Sequence, residues 1–343
     1  MLDYKKTGTF LASKRKQAQM TQADVAQKLG VSFQAVSKWE NGTLPFPEIP
    51  HPVLVLKSEE PGSKQKLAME YGYSESICHD MINHLVNDIM VMGARPLAVL
   101  DTIVCGSAEK ETIKSFIKGI SDACRENGCS LVGGETSIQP QVVEKGVYVL
   151  TSSIAGILSK DKVIDGSGIT EGDTVLAVAS NGLHTNGYSL VRMLMDQMPQ
   201  IKLEKIDGET FIEQIMKPHT TYRNAIRNLL ECPGIHGMAH ITGGGIQGNL
   251  CRILPDGLYA DIDLSKIKTL PIFRYIQRIG NIDEAEMLST FNCGVGLIVV
   301  VSERYAEQAI RNIAKYHDCY EIGRIRKGNG KVLFRNSVNW ESS

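Results

Sequence analysis

Polar side chains that could bind a metal ion end several apolar segments of the chain. Asp88 ends an apolar helical pattern, Asp101 ends an apolar run, and Glu135 follows a Gly-Gly pair. Such oxygen ligands suit Mg²⁺, which takes one or two carboxylates together with phosphate oxygens. Each carboxylate alone could instead cap a helix or join a salt bridge. As a set, we predict that these three bind a metal ion, and that Asn87 beside them contacts a nucleotide.

A loop that combines phosphate-binding residue types with acidic residues precedes the first of these segments. Residues 56–68 read LKSEEPGSKQKLA, in which a glycine, a serine and lysines follow an apolar run, as in a phosphate-binding loop. Two carboxylates, Glu59 and Glu60, would repel a phosphate in the same loop. Two interpretations stay open from the residues alone. The loop is either an altered anion site or a place where acids bind a metal and the metal binds the phosphate.

Two further motifs lie in the second half of the chain. In GLHTNGYSLVR, His184 and Asn186 precede a predicted helix whose first amides can receive an anion. In HITGGG, residues without side-chain bulk let backbone amides approach a phosphate; the predicted loop comprises Thr242, Gly243, Gly244 and Gly245. A lone histidine is more often structural, and His240 could be a ligand contact or a buried partner. In FNCGVG we expect Asn292 to reach a substrate.

The elements that must position these residues alternate between strand and helix. PVLVL, RPLAVLDTIV and VYVLTSSIAGIL predict strands, whereas HDMINHLVNDIMVMG and KETIKSFIKGISDACRENG predict helices that end at glycine. SLVGGET predicts a strand that ends in a glycine turn. A second round begins near Gly172 with TVLAVAS. The pattern favours two similar α/β halves in which helices cover the strands.

The first 45 residues have a different character. In TQADVAQKLGVSFQAVSKWENG, Thr21 and Ser32 can cap two short helices joined at Gly30. This segment resembles the Cro/repressor-type helix-turn-helix family, in which the second helix enters the DNA major groove. The resemblance implies that Gln34, Ser37 and Lys38 face bases, and that Gln22 contacts a phosphate. The alternative is a small helical interaction module. Pro45 and Pro47 stop helix formation directly afterwards.

Bulk composition fits an ordinary soluble protein. The net charge is −1, but residues 1–50 contain seven basic and four acidic residues, a charge of +3 that suits DNA. No apolar run is long enough to span a bilayer, and no secretory signal is evident. We therefore expect a cytoplasmic protein that does not bind membranes and whose eight cysteines are reduced.

Five motifs in register carry a second resemblance. VNDIMVMGARPLAVLD, LVGGET, GLHTNGYSLVR, HITGGG and EMLSTFNCGVG, in this order, are similar to the aminoimidazole ribonucleotide synthetase (phosphoribosylformylglycinamidine cyclo-ligase) family over roughly residues 50–335. The resemblance implies a two-domain α/β body, with a barrel-forming N-terminal sheet shared across a homodimer. It implies ATP and Mg²⁺ as cofactors and a ribonucleotide substrate. The expected domains are an all-α helix-turn-helix head at 1–45, an ATP and metal domain at 46–167, and a substrate domain at 168–338.

The resemblance also assigns roles to residues of the loop at 56–68. Glu59 stands where the family has a metal-binding Asp, so it is expected to bind metal, while Lys64 and Ser63 are expected to contact phosphate. His184 is expected to be catalytic and to orient or protonate a substrate oxygen. Three hypotheses of function follow. The first is an active ATP-dependent cyclo-ligase, and the second is a transcriptional regulator whose synthetase-like body senses a nucleotide. The third is a degenerate paralogue that acts as a structural partner.

Overall fold

The computed structural model of the protein describes residues 4–29, 32–42, 49–329 and 331–341. Its contacts divide the chain into two compact units. One comprises Met1–Val53 with Leu158–Asp161, and the other comprises Leu54–Ile157 with Lys162–Ser343. The predicted turn at Gly30, the prolines 45 and 47, and the predicted boundary between residues 45 and 46 lie outside the described residues.

The first unit contains three short helices, α1 (Tyr4–Gln17), α2 (Gln22–Leu29) and α3 (Phe33–Glu40). Both predicted caps are confirmed. The amide of Asp24 donates to Thr21 Oγ1 at 3.1 Å, and the amide of Ala35 donates to Ser32 Oγ at 3.2 Å. Each cap satisfies an amide that the helix itself leaves without a partner.

The second unit begins with an α/β half whose sheet has four strands in the order β1-β4-β2-β3. Strand β2 runs parallel to β3 and antiparallel to β4. Val99 and Ile103 of β2 are buried on the face where α5 and α6 pack, whereas Leu56 and Leu100 are exposed. The elements are β1 (Pro52–Glu59), α4 (Lys64–Glu70), α5 (Ser76–Met90), β2 (Arg95–Cys105), α6 (Lys110–Glu126), β3 (Ser130–Ile138) and β4 (Tyr148–Ser159).

Two predictions about this sheet need correction. Within the described residues the sheet is open, and no closed barrel is formed by the single chain. The expected turn at Gly133 and Gly134 is also wrong, because β3 continues through both glycines to Ile138. Gly134 is needed because β2 approaches it closely, and not because the chain turns there. A Cβ there would lie 2.1 Å from Asp101 Oδ1 on the neighbouring strand.

The remainder of the second unit is built on a six-stranded sheet in the order β12-β9-β11-β5-β10-β8, in which only the β12–β9 pair is parallel among the pairs described. Strand β10 is buried along its whole length. The elements are β5 (Thr174–Ala179), α7 (Tyr188–Gln197), β6 (Lys205–Ile206), β7 (Glu209–Thr210), α8 (Phe211–Ile215), α9 (Arg223–Leu229), β8 (Ile235–His240), α10 (Gly245–Leu250), β9 (Leu258–Asp263), α11 (Pro271–Gly280), α12 (Glu284–Thr290), β10 (Val295–Val301), α13 (Ala306–Ile313), β11 (Cys319–Lys327) and β12 (Val332–Arg335).

The expected chemistry of the cysteines is confirmed, since all eight are free thiols. Among the described residues, no helix combines the length and the apolar character needed to cross a membrane.

Candidate active site

A cavity of about 510 Å³ lies where the two halves of the second unit meet. Strand β1 contributes its last residues, α5 contributes its carboxyl-terminal turns, and β8 with the loop before α10 forms the opposite wall. The polar residues that line it are Lys57, Glu59, His84, Asp88, Asn186, His240, Thr242, Gly243, Asn249 and Arg252. Predicted residues from both halves are therefore brought together, which makes this cavity the candidate active site.

Two of the four predicted metal ligands face each other across a lysine. Lys57 Nζ lies 2.8 Å from Glu59 Oε2 and 3.2 Å from Asp88 Oδ2. Mg²⁺ takes one or two carboxylates and completes its shell with water and phosphate. Glu59 and Asp88 fit that requirement, and Lys57 balances part of their charge. Lys57 stands in the stretch 56–68 that the sequence singles out, but no role was predicted for it.

The other two predicted metal ligands lie elsewhere. Asp101 is on β2, and β4 separates β2 from the strand that carries Glu59. Its side chain is buried against Gly134, where desolvation raises the pKa of its carboxyl. Glu135 is exposed on the edge strand β3. Neither residue lines the cavity, so the predicted cluster of acids reduces to Glu59 and Asp88.

Asp88 also holds His240 in place. His240 Nδ1 donates to Asp88 Oδ1 at 2.6 Å, which leaves the other ring nitrogen, Nε2, as the one without the proton. Burial opposes ionisation of Asp88. The hydrogen bond from His240 and the nearby positive charges nevertheless hold the pKa of this carboxyl well below its usual range. Burial also disfavours the charged form of the neighbouring His84, and it lowers the pKa of this imidazole to about 4.

Behind this wall lies a cluster of buried imidazoles. The rings of His184 and His219 are stacked with centroids 3.9 Å apart, and His219 Nε2 lies 2.8 Å from His240 Nε2. Burial lowers the pKa of both His184 and His219, so both are neutral. Within the part of the chain that the structure describes, three ring nitrogens have no hydrogen-bond partner: both of His184, and Nδ1 of His219. Each such buried polar atom costs about 1–3 kcal/mol.

His184 itself does not occupy the predicted position. Its side chain is fully buried and is not part of the cavity wall. His240, for which the sequence left two interpretations open, lines the cavity and also joins the buried cluster. Direct protonation of a substrate oxygen by His184 therefore does not fit the geometry. Its backbone has φ 60, in the left-handed region that costs a non-glycine residue about 1–3 kcal/mol.

Lys64 is likewise not a phosphate ligand in this structure. It is fully buried, and Nζ donates to Asp80 Oδ1 at 2.8 Å and to the carbonyls of His184 and Lys217 at 3.1 and 2.7 Å. All three N–H donors of the ammonium are thereby used. Lys64 instead ties α4 to α5 and to two loops of the second half. Ser63, next to it, is half-buried and lies outside the cavity wall.

Two predicted substrate contacts are also structural. Asn87 Nδ2 donates to the carbonyl of Thr220, and its Oδ1 accepts from the amide of Tyr222. Asn292 accepts from Ser180 Oγ and donates to the carbonyl of Gly182. Both side chains are buried. Side-chain amides that bridge backbone groups in this way fix loops around the cavity rather than contact a ligand.

The glycine-rich loop retains the features of a phosphate site. Gly243 and Gly244 are exposed, and Gly244 has φ +90. Gly245 begins α10 with φ +59, and a Cβ there would lie 1.8 Å from the carbonyl oxygen of Leu288. Asn249, which the sequence analysis missed, donates from Nδ2 to the carbonyls of Gly243 and Gly245. These hydrogen bonds fix the loop against the first turn of α10.

The histidines missed from the sequence left only weak signals. His84 and Asp88 are four residues apart on α5, a spacing that places both on one face of a helix. His219 lies in the loop between α8 and α9, and only the fold brings it to His184 and His240.

The residues predicted to contact DNA lie on α3. Gln34 and Lys38 are exposed and Ser37 is half-buried, and their i, i+3 and i+4 spacing puts them on one face. Gln22, on α2, donates from Nε2 to Glu40 Oε2 at 2.8 Å. Its amide retains a second hydrogen for a phosphate. Glu40 also accepts from Arg15, which fixes α3 against α1.

Comparison with known proteins identifies the class. The family described as AIR synthase related protein matches with its N-terminal domain at residues 54–158 and its C-terminal domain at residues 170–336. A helix-turn-helix family matches residues 11–47. Among solved structures, Escherichia coli HypE has a TM-score of 0.60 at 20% identity and covers 84% of this chain and 83% of its own. Thiamine-monophosphate kinase from Stenotrophomonas maltophilia has a TM-score of 0.60 at 17% identity, with 84% and 87% covered. At these identities the likeness concerns the fold.

Curated relatives are more similar. Phosphoribosylformylglycinamidine cyclo-ligase of Bacillus cytotoxicus is 41% identical over 294 residues, which cover 84% of each chain. The protein of the same name from Methylobacillus flagellatus is 43% identical over 307 residues, which cover 88% of this chain and 85% of the relative. The chain therefore belongs to the phosphoribosylformylglycinamidine cyclo-ligase family, a family of ATP-dependent ligases, and it carries a helix-turn-helix segment before the synthetase body.

Proposed function

We propose that the protein is an ATP-dependent cyclo-ligase that converts formylglycinamidine ribonucleotide to aminoimidazole ribonucleotide. The γ-phosphoryl group of ATP passes to the formyl amide oxygen of the substrate and leaves ADP. The amidine-side nitrogen then attacks the activated carbon, and inorganic phosphate departs with the former amide oxygen as the imidazole ring closes. A proton is released from the attacking nitrogen. We keep residues 46–167 and 168–338 as the limits of the two catalytic domains.

Most of this catalysis is positioning and neutralisation of charge. Glu59 and Asp88 would hold Mg²⁺, which neutralises phosphate charge when bound. The loop from Thr242 to Gly245 would hold a phosphate of a substrate through backbone amides. His240, fixed by Asp88, would accept a hydrogen bond or a proton through Nε2. Asn186 beside the loop would orient the ribonucleotide.

One observation carries this proposal: Glu59, Asp88, His240 and the glycine-rich loop line one cavity, in a chain about 40% identical to proteins named for this reaction. The relevant experiment incubates the purified protein with ATP, Mg²⁺ and formylglycinamidine ribonucleotide. Formation of ADP and aminoimidazole product in equal amounts would support the proposal. Tight nucleotide binding without product would favour the second candidate, a transcriptional regulator whose body senses a nucleotide.

The observation that favours a regulatory role is the first unit, whose α3 presents Gln34, Ser37 and Lys38 on one face. We infer that residues 1–45 bind duplex DNA. Lys38→Ala is expected to weaken binding about 10-fold, because one lost base or phosphate contact costs about 1–3 kcal/mol. Fluorescence anisotropy with DNA from upstream of its own gene, at low salt, measures the effect.

The control for this experiment is Lys114→Ala, which removes an exposed lysine from α6 of the second unit. Its affinity for DNA should equal that of the unchanged protein. Equal affinity of the Lys38→Ala protein, or no binding by any of the proteins, would contradict DNA binding through α3.

We further propose that the open four-stranded sheet pairs with that of a second copy, so that two sheets close the barrel the family resemblance implies. The supporting feature is the uncovered apolar face of the sheet, where Leu56 is 74% exposed and Leu100 and Val132 are more than half exposed. A groove of about 420 Å³ runs between these side chains. Patches of this kind mark interaction surfaces.

Leu56→Glu is expected to raise the dissociation constant of this homodimer by about 100-fold or more, since it buries a charge where an apolar side chain belonged. Sedimentation velocity across a range of concentrations measures the change. Leu203→Glu is the matched control, because Leu203 is 81% exposed and lies away from this sheet. A Leu56→Glu protein that sediments as the unchanged dimer would disprove this interface.

A further inference from the structure

We propose that His184, His219 and His240 form a binding site for a divalent transition-metal ion of the Zn²⁺ type, separate from the nucleotide-linked Mg²⁺ site. One nitrogen from each ring lies within 4.8 Å of the other two. The three residues come from distant parts of the chain: the loop before α7, the loop before α9, and the end of β8.

Three ring nitrogens in this cluster lack a partner, as described above. All three belong to side chains that are almost completely inaccessible, since His184 and His219 are each 1% exposed. A buried imidazole nitrogen with a lone pair requires either a donor or a cation. Among the described residues the surroundings supply no donor to His184, and a metal ion would satisfy one of its two nitrogens.

The protonation state of the cluster suits a metal. Metal binding requires neutral imidazole, and burial keeps His184 and His219 neutral. His240 donates from Nδ1 to Asp88, so its Nε2 lone pair points into the cluster. A carboxylate that fixes the tautomer of a ligating histidine is a recurrent feature of zinc sites. Lys64, which approaches the carbonyl of His184, is neutralised by Asp80 at 2.8 Å.

The geometry needs only a local adjustment. Zn²⁺ keeps its nitrogen ligands at about 2.0–2.1 Å, so that two ligands of a tetrahedral ion lie about 3.3 Å apart. The Nε2 atoms of His219 and His240 are 2.8 Å apart. The stacked ring of His184 must rotate to direct a nitrogen at the ion. His240 also lines the cavity, so the cluster lies directly behind the cavity wall. Three imidazoles favour Zn²⁺, Co²⁺, Ni²⁺ or Cu²⁺ over Mg²⁺.

The test uses the untagged full-length protein, stripped with EDTA, freed of the chelator and titrated with Co²⁺. We expect one equivalent to bind with the visible absorption bands of a low-coordinate histidine complex, and Zn²⁺ to displace it. His219→Ala should weaken Zn²⁺ binding at least about 100-fold, because even loss of an outer-sphere partner costs 10–100-fold. His236→Ala is the matched control, since this histidine pairs with Asp173 outside the cluster.

Absence of the Co²⁺ bands, or equal affinity of the His219→Ala and unchanged proteins, would overturn the proposal. If circular dichroism shows that His219→Ala does not fold, X-ray absorption of the unchanged zinc-loaded protein decides the question. Three nitrogen neighbours would support the site, and a shell of oxygen only would reject it. Metal content is measured without turnover, so the cyclo-ligase proposal and this one can fail independently.

Discussion

Asp88→Asn is expected to lower kcat of the cyclo-ligase reaction at least about 100-fold while the protein keeps its fold. The substitution removes a charge that faces Lys57 and the proposed Mg²⁺ position, and it weakens the hydrogen bond that fixes the His240 tautomer. Loss of one electrostatic group aimed at a reacting centre costs about 10²–10³ in kcat, and loss of a partner that orients a histidine costs about 10–100-fold. Steady-state ADP formation at saturating ATP and Mg²⁺ measures kcat.

Asp122→Asn is the matched control, because Asp122 lies on α6, outside the cavity, and bonds to neighbouring side chains of the same helix. It should turn over like the unchanged protein. Circular dichroism should show that both variants are folded. Normal kcat in the Asp88→Asn protein would remove Asp88 from the active site, and with it the assignment of the cavity.

The second large effect concerns Lys64. Lys64→Met should destabilise the second unit by about 3–5 kcal/mol, because it leaves Asp80 buried without its counter-charge. The carbonyls of His184 and Lys217 lose their donor as well. Urea denaturation, monitored by far-ultraviolet circular dichroism, measures the loss of unfolding free energy. Lys66→Met, on the exposed side of the same helix, should change stability by less than about 0.5 kcal/mol.

The pH dependence of the Lys64→Met protein provides a further check. Burial raises the pKa of Asp80 to about 6 even beside Lys64, and removal of the ammonium raises it further. The folded variant then binds more protons than its unfolded state near the pKa of Asp80. The stability of the variant therefore rises as the pH falls through that pKa. The difference between variant and unchanged protein should therefore be larger at pH 8 than at pH 5.5. A Lys64→Met/Asp80→Leu protein should recover most of the lost stability. Equal stability of the Lys64→Met and Lys66→Met proteins would contradict a stabilising role of the Lys64–Asp80 pair.

Local patterns predicted the elements well. The caps at Thr21 and Ser32 and the helix around Leu85 depend on residues close in sequence, so they could be read directly. Gly133 and Gly134 misled the prediction because glycine marks a turn in most contexts. Here the missing side chain of Gly134 leaves space for the side chain of Asp101 on the neighbouring strand. The open sheet could not be deduced from one chain either, since a barrel closed by two copies leaves the same sequence pattern.

Site residues were harder to assign, and the reason is physical. A motif states which residue types are present, but not which side chains the fold uses internally. Lys64, Asn87 and Asn292 are all of the types that bind phosphate or substrate, yet each uses its hydrogen bonds inside the protein, on backbone groups and neighbouring side chains that hold the cavity walls. His219 has no motif around it, and Lys57 has no predicted role in its loop. Lys57 reaches Asp88 and His219 reaches His240, each more than 20 residues away in sequence. No local pattern records such contacts.

The central claim is that this cavity closes an imidazole ring at the expense of ATP. Its most direct test is turnover by the full-length protein with ATP, Mg²⁺ and formylglycinamidine ribonucleotide, following ADP and aminoimidazole ribonucleotide in the same samples. We predict that the two products form in a one-to-one ratio and that both require substrate and Mg²⁺. Tight nucleotide binding without either product would contradict the enzymatic account and favour a regulator that senses the nucleotide.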